Sequence, residues 1–182
     1  MDLTFVSTNA GKFREVRTVL REYGIPVRWM RRELPEIQAD RLESVVEAKL
    51  SEAKKLRLRV LVEDSGLFIP GLAGFPGVYS SYALRTIGLQ GILRLLDGRP
   101  RGAVFRTVAG LSIGRDRWMR SGECRGRIAD RARGTNGFGF DPIFIPDGET
   151  RTFGQLDIEE KNRRSHRAQA VRRIGRLIRQ LE

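Results

Sequence analysis

Apolar runs and helical periodicities alternate over the first third of the chain, and this alternation limits the possible folds more than any other feature. Residues 2–8 (DLTFVST) read as a short strand, and residues 12–23 as a helix ended by Gly24 and Pro26. VRWMR (27–31) is a second strand and leads into the loop ELPEIQAD. From Leu42 to Leu58, the residues Leu42, Val45, Val46, the Lys49 stem, Leu50, Ala53 and Leu56 recur at helical spacing. RVLVEDS (59–65) is a β-rich run that ends in acids before Gly66. Such alternation predicts an α/β fold. Later, residues 103–113 and 117–128 read as two long strands around the turn Gly114-Arg115-Asp116, a hairpin signal, so the sheet should be mixed.

Between these regions lie a glycine-proline loop (71–81) and a helical stretch to Leu96 that is interrupted near Gly88 and Gly91. GTNGFGFDPIFIPDG (134–148) is a glycine-rich loop enclosing a short apolar strand. From Ser165 the chain reads as helix, with Ala168, Val171, Ile174, Leu177 or Ile178, and Leu181 forming the inward stripe. No linker divides the 182 residues, so one domain spanning 1–182 is expected. The hairpin region can form a second lobe, with a cleft between it and the first half.

No apolar run approaches the roughly 20 residues that cross a bilayer. Met1 leads straight into a strand pattern, so no secretory leader is expected either. Cys124 is the single cysteine, which excludes an internal disulfide and a cysteine-based zinc site and reads as a small structural residue. A soluble, cytoplasmic protein is the expectation. The net charge of +12, dominated by arginine, admits three readings: nucleic-acid binding, an anionic small-molecule substrate, or a solvated arginine-rich surface. Charge alone does not choose among them.

The stretch STNAGKF (7–13) has the form of a phosphate-binding turn between a strand and a helix. It is not a P-loop: Val6 stands where that motif needs its first glycine, and Phe13 where it needs Ser or Thr. Ser7, Thr8, Asn9 and Lys12 nonetheless sit beside the first N–H groups of a helix, where the dipole favours an anion. The plainer alternative is that Asn9 or Thr8 only caps the helix.

Three further groups can carry chemistry. Glu63-Asp64 stands at a predicted strand end, where a carboxylate can hold magnesium or take a proton from water. Adjacent strand residues face opposite ways, so only one of the two should do this. Glu33 and Glu36 flank Pro35 in a stiffened loop that can aim a glutamate at the same cation. In GFGFD (137–141), Phe138 or Phe140 can stack on a nucleobase and Asp141 can accept ring N–H groups, unless both phenylalanines are core. In KNRRSHRAQAV (161–171), Ser165 suits an N-cap. His166, the single histidine, and Arg167 oppose the dipole of the last helix, which points to an anion or electron-rich ligand nearby.

STNAGK, VEDSGLFIPGLAGFPGVYSSY, FGFDPIF and EEKNRRSHR occur in that order, together with ELPEIQ. In this the chain resembles the inosine triphosphate pyrophosphatase family over nearly its whole length. The resemblance implies a long mixed β-sheet with flanking helices, forming two lobes around a central active-site cleft. It implies magnesium-dependent cleavage of ITP, dITP and XTP to monophosphate and pyrophosphate by a homodimer, with a purine nucleotide as partner and neither membrane nor nucleic acid. Carried over by motif, Ser7, Thr8, Asn9, Ala10, Gly11 and Lys12 would embrace the triphosphate, and Lys49 would meet it. Glu36 and Asp64 would hold the metal, with Asp64 also the proton acceptor and Ser65 touching substrate. Phe138, Gly139, Phe140, Asp141, Lys161, His166 and Arg167 would form the base pocket. Val45-Val46 departs from the asparagine-alanine pair usual before the lysine, and Gly154-Gln155 from the usual alanine-glutamate. A pyrophosphatase with another base preference, or a basic nucleic-acid-binding protein, is the competing expectation.

Overall fold

The computed structural model describes residues 3–56 and 59–182. The predicted strand residue Asp2 and the end of the predicted helix at Arg57 and Leu58 lie outside the described residues. Strand β1 (Leu3–Val6) is buried along its length. It has a parallel partner on each side, β2 (Val27–Met30) and β3 (Arg59–Phe68). Helix α1 (Ala10–Arg21) connects β1 to β2 and begins two residues earlier than its pattern predicts, because the Asn9 side chain caps it. Helix α2 (Leu42–Ala53) connects β2 to β3 and tightens into a 3-10 turn at Lys54–Leu56.

The rest of the chain adds β4 (Pro76–Gly77), α3 (Ser80–Thr86) and α4 (Gly88–Leu95), broken at Gly88 as the glycine there predicts. The hairpin β5 (Gly102–Ile113) and β6 (Asp116–Ile128) follows, and then β7 (Phe144–Pro146), the short apolar strand expected inside the glycine-rich loop. Helices α5 (Ile158–Arg164) and α6 (His166–Leu181) complete the order. The seven strands form one sheet in the order β2-β1-β3-β5-β6-β7, with β4 paired to β3. Pairing is parallel at β1/β2 and β1/β3 and antiparallel at β3/β4 and β6/β7, the mixed α/β sheet that the sequence predicts.

Two compact units divide the chain. The first comprises residues 1–64, 107–122 and 166–182, the second 65–106 and 123–165. In the first, Leu3, Phe5, Leu61, Ala109 and Leu111 meet Val16, Val19 and Leu20 of α1 and Val171, Ile174 and Ile178 of α6 in one cluster. The opposite sheet face carries α2. A methyl at Gly110 would stand 2.6 Å from Val46 and 2.7 Å from Leu50, so the absent side chain lets that helix close on β5. In the second unit, Leu67, Ile92, Phe105, Ile143, Phe144 and Phe153 form the core. Cys124 lies among them, and burial, aided by Asp147, pushes its thiol up to about 12. A structural thiol, not a nucleophile, is the result.

One local expectation needs correction. The run RVLVEDS does not end at its acids: β3 continues through Ser65 to Phe68, because Leu67 and Phe68 find antiparallel partners in Gly77 and Pro76. The buried Ser80 hydroxyl also accepts the Leu67 N–H at 2.8 Å and donates to the Gly77 carbonyl at 2.7 Å. The helix read from Ser165 onward is α6, as predicted, and it is preceded by α5, a separate short helix that the pattern did not reveal. Asp157 and Glu160 cap α5 reciprocally: Asp157 Oδ1 accepts the Glu160 N–H, and Glu160 Oε2 accepts the Asp157 N–H.

Gly66 is where the extended β3 is most sensitive. A Cβ there would lie 2.4 Å from the Gly77 carbonyl oxygen, which is itself held by the strand pairing. Gly66→Ala should destabilise the fold by about 1–3 kcal/mol through overpacking. Urea unfolding of the two proteins measures this, and a difference below a few tenths would mean that β4 moves aside freely.

Candidate active site

The alternation of β3 decides where the acids go. Leu61 faces the α1/α6 cluster, so Glu63, two residues on, faces the same way, and Asp64 faces α2. Both carboxylates are buried, and each meets cations from the helices on its own face. Glu63 Oε1 lies 2.5 Å from Lys12 Nζ, and its Oε2 accepts from Arg167 Nε at 3.2 Å. Arg167 Nη1 in turn donates to Glu15 Oε2 at 2.5 Å. Helices α1 and α6 pack on each other, which brings Glu15 and Arg167 together across 152 positions of sequence. Four alternating charges, Glu15, Arg167, Glu63 and Lys12, thus run through the first unit.

On the α2 face, Asp64 Oδ1 accepts from Lys49 Nζ at 2.6 Å, and the same ammonium lies 3.5 Å from Glu36 Oε1. Lys49 is on the inward stripe of α2, so its stem is packed while its head reaches the acids. Burial raises the Asp64 carboxyl above the ordinary aspartate range, against the opposing pull of Lys12 and Lys49, with Glu63 adding to the rise. For Lys49 burial works downward, but the charge and hydrogen bond of Asp64, with Glu63 and Glu36, hold the ammonium above its usual value. Glu36 is largely exposed at the edge of this group.

The turn between β1 and α1 is held by its own side chains. Ser7 Oγ accepts the Asn9 N–H at 3.1 Å, and Asn9 Oδ1 accepts the Lys12 N–H at 3.0 Å. Asn9 is therefore the helix cap that the plainer reading predicts, and this arrangement leaves Ala10 and Gly11 with the first-turn N–H groups that helix geometry does not pair internally. Thr8 and Ala10 are exposed, and Gly11 and Lys12 half-buried.

In the second unit, Asp141 Oδ2 accepts both the Phe138 N–H at 2.7 Å and Lys161 Nζ at 2.6 Å. Lys161 Nζ also stands 4.9 Å from the centre of the Phe138 ring and 5.4 Å from that of Phe153. Gly137, at φ +73°, makes this possible, since a Cβ would lie 2.1 Å from Asp141 Oδ2. Of the two candidate stacking rings, Phe140 is core: it is 4% exposed and packs in the second cluster, so only half-buried Phe138 is available to a ligand. Gly139, at φ +63°, joins the two rings, and Ser65 is half-buried on β3.

His166 and Arg167 open α6 and are buried. The cation that the sequence reading referred to an outside anion has an internal answer at Arg167, in Glu15 and Glu63. Glu15 is the partner that sequence reasoning did not single out, and Glu63, singled out there as a strand-end acid, proves to be a partner of Arg167. Glu15 could have been found from its own helix, because it stands four positions before Val19, on the stripe of Val16, Val19 and Leu20 with which it is buried. Among the described residues, no group of three His, Cys, Asp or Glu side chains could hold a metal. Glu36 and Asp64 form a pair of carboxylates sharing one cation, Lys49, which suits magnesium only in the manner of an ion completed by substrate oxygens and water.

Residues 3–176 match the model of the Ham1 family. The chain is 49% identical over 174 residues to the dITP/XTP pyrophosphatase of Pyrococcus horikoshii, covering 94% of each chain. It is 47% identical to the dITP/XTP pyrophosphatase of Methanopyrus kandleri, covering 96% of this chain and 95% of that one. Among solved structures, a HAM1 protein from Coxiella burnetii superposes with a TM-score of 0.82 at 29% identity, over 99% of this chain and 100% of that one. The Staphylococcus aureus Ham1 protein gives 0.81 at 27%, over 98% and 100%.

Two measurements follow from the buried charges. Arg167→Met leaves Glu15 buried beside Glu63 without the guanidinium between them, and should cost about 3–5 kcal/mol in urea unfolding at neutral pH. Adding Glu15→Met should restore part of the loss; no restoration would mean that the pair does not act as a unit. Titration of the Asp64 carboxyl by carbon NMR in metal-free protein should give a midpoint above the ordinary aspartate range. Lys49→Met should raise it further, because an attractive cation is lost. A raised carboxyl pKa makes the fold prefer the protonated acid, so the stability Asp64 contributes is present at low pH and lost as pH rises through that midpoint. A midpoint below the ordinary range would contradict the dominance of burial.

Proposed function

The chain belongs to the Ham1 family, and from that premise we propose that it hydrolyses ITP, dITP and XTP to the nucleoside monophosphate and pyrophosphate. As such it is a nucleoside triphosphate pyrophosphatase that keeps deaminated purines out of DNA and RNA. The observation that carries the reading is the buried Asp64 carboxylate, paired with Lys49 and kept above the usual aspartate pKa range, in the same unit as a turn suited to an anion.

The roles follow from the chemistry. A triphosphate brings roughly four negative charges and needs several donors. The turn from Ser7 to Lys12, through Ser7, Thr8, Asn9, Ala10 and Gly11, supplies N–H groups at a helix start, and Lys12 and Lys49 supply cations. Hydrolysis breaks the α–β anhydride: a water oxygen attacks phosphorus, its proton passes to Asp64, and pyrophosphate departs. Glu36 and Asp64 would hold magnesium, which when bound neutralises phosphate charge and acidifies the water. The Asp64–Lys49 contact supports this, since a carboxylate already paired with a cation can exchange that partner for another.

For the base, Phe138 offers a stacking face, Asp141 an acceptor and Lys161 a cation, with Gly139 shaping the loop and Ser65 touching substrate. Inosine and xanthine carry oxygen at C6 where adenine carries an amine, so a donor such as His166 accepts the first two and leaves ATP mismatched, while Arg167 keeps its pairing with Glu15 and Glu63. Phe140 serves this site from the core as a wall behind the loop. The working assembly is a cytoplasmic homodimer. No helix among the described residues is long and apolar enough to cross a membrane.

Product analysis with magnesium and ITP, XTP, ATP, GTP or dUTP tests the reading. Pyrophosphate and monophosphate should come from ITP and XTP and little from the others. Orthophosphate release, or no hydrolysis at all, would overturn it. Asp64→Asn should lower turnover by about 10²- to 10⁴-fold while leaving the fold intact, and near-normal turnover would remove Asp64 from the proton-accepting role.

A further inference from the structure

The phosphate-binding turn is gripped from outside by a residue with no part in the motif. The β1/β2 register sets Trp29 beside Phe5, on the face that α1 covers. Phe13, from the first turn of α1, stacks on the indole at 5.2 Å between ring centres with the planes 11° apart, and lies 6.5 Å from Phe5. From that position the Trp29 Nε1–H donates to the Ser7 carbonyl at 2.7 Å. The Ser7 N–H donates to the Met30 carbonyl at 3.1 Å, so both polar groups of the Ser7 backbone are held by consecutive residues of one strand.

The geometry points to Trp29 as a positioning residue for triphosphate binding, a role that rests on the function proposed above. The peptide joining Ser7 to Thr8 is planar and trans, so directing the Ser7 carbonyl at the indole turns the Thr8 N–H the opposite way. Ser7 Oγ then accepts from Asn9, and Asn9 Oδ1 from Lys12, so the orientation of one peptide passes along the turn to the start of α1. Trp29 is 37% exposed and sits on the edge strand of the sheet. Its removal therefore opens no cavity in the core. Its effect falls on the aim of the turn.

Trp29→Phe keeps the ring on Phe13 and deletes only the N–H donor, which separates positioning from packing. Binding of magnesium tripolyphosphate and of inosine is measured by calorimetry on both proteins, with thermal unfolding and ITP kinetics alongside. Loss of one hydrogen bond should weaken tripolyphosphate about fivefold. Inosine affinity and the melting temperature should stay unchanged, and KM for ITP should rise with kcat nearly intact. Equal loss for both ligands together with a lower melting temperature would show a merely structural residue and overturn the inference. So would unchanged tripolyphosphate affinity, or no tripolyphosphate binding by the unsubstituted protein. Because binding is read without turnover, the comparison decides on Trp29 even if ITP proves not to be hydrolysed.

Discussion

Two neighbouring acids on one strand face opposite ways, and much of the first unit is arranged around that fact. An extended backbone sends Glu63 and Asp64 to opposite faces of the sheet, where both are buried. An unpaired buried carboxylate costs several kcal/mol, so each face must bring cations to it. Lys12 and Arg167 do this on the α1/α6 face, and Lys49 on the α2 face. The helices that cover the sheet are thereby tied to it by charge as well as by apolar packing. Under the proposed function those same lysines are the groups that a phosphate would claim.

The +12 charge looks different once its parts are located. Many arginines are already matched at the surface: Arg172 to Glu22, Arg106 to Glu123, and Arg151 and Arg164 to Glu149. Exposed pairs of this kind contribute little stability each. Among the described residues the buried lysines and arginines are Lys49, Lys161 and Arg167, each paired with a buried carboxylate.

What could be read in the sequence was whatever depends on local pattern. The strand–helix alternation, the start of α1 near Asn9, the break at Gly88 and the hairpin around Gly114 each follow from residues within a few positions of one another. What escaped depends on distant partners. β3 runs past its acids only because residues 76–77 return to pair with it. Arg167 is satisfied by Glu15, 152 positions away. Phe138 and Phe140 are equivalent on paper, and only the core decides which of them is buried. The separate helix α5 was legible in principle, since Asp157 and Glu160 stand at capping-box spacing.

Cys124 gives the second unit an experimental handle. Its thiol is buried in the core of that unit and its pKa lies far above neutrality, so almost none of it is thiolate while the fold is closed. A maleimide or disulfide reagent can label the chain only when this core opens. As Cys124 is the only cysteine, the labelling rate under native conditions counts those openings directly. The protein thus carries an intrinsic clock for local unfolding, readable by mass without any substitution.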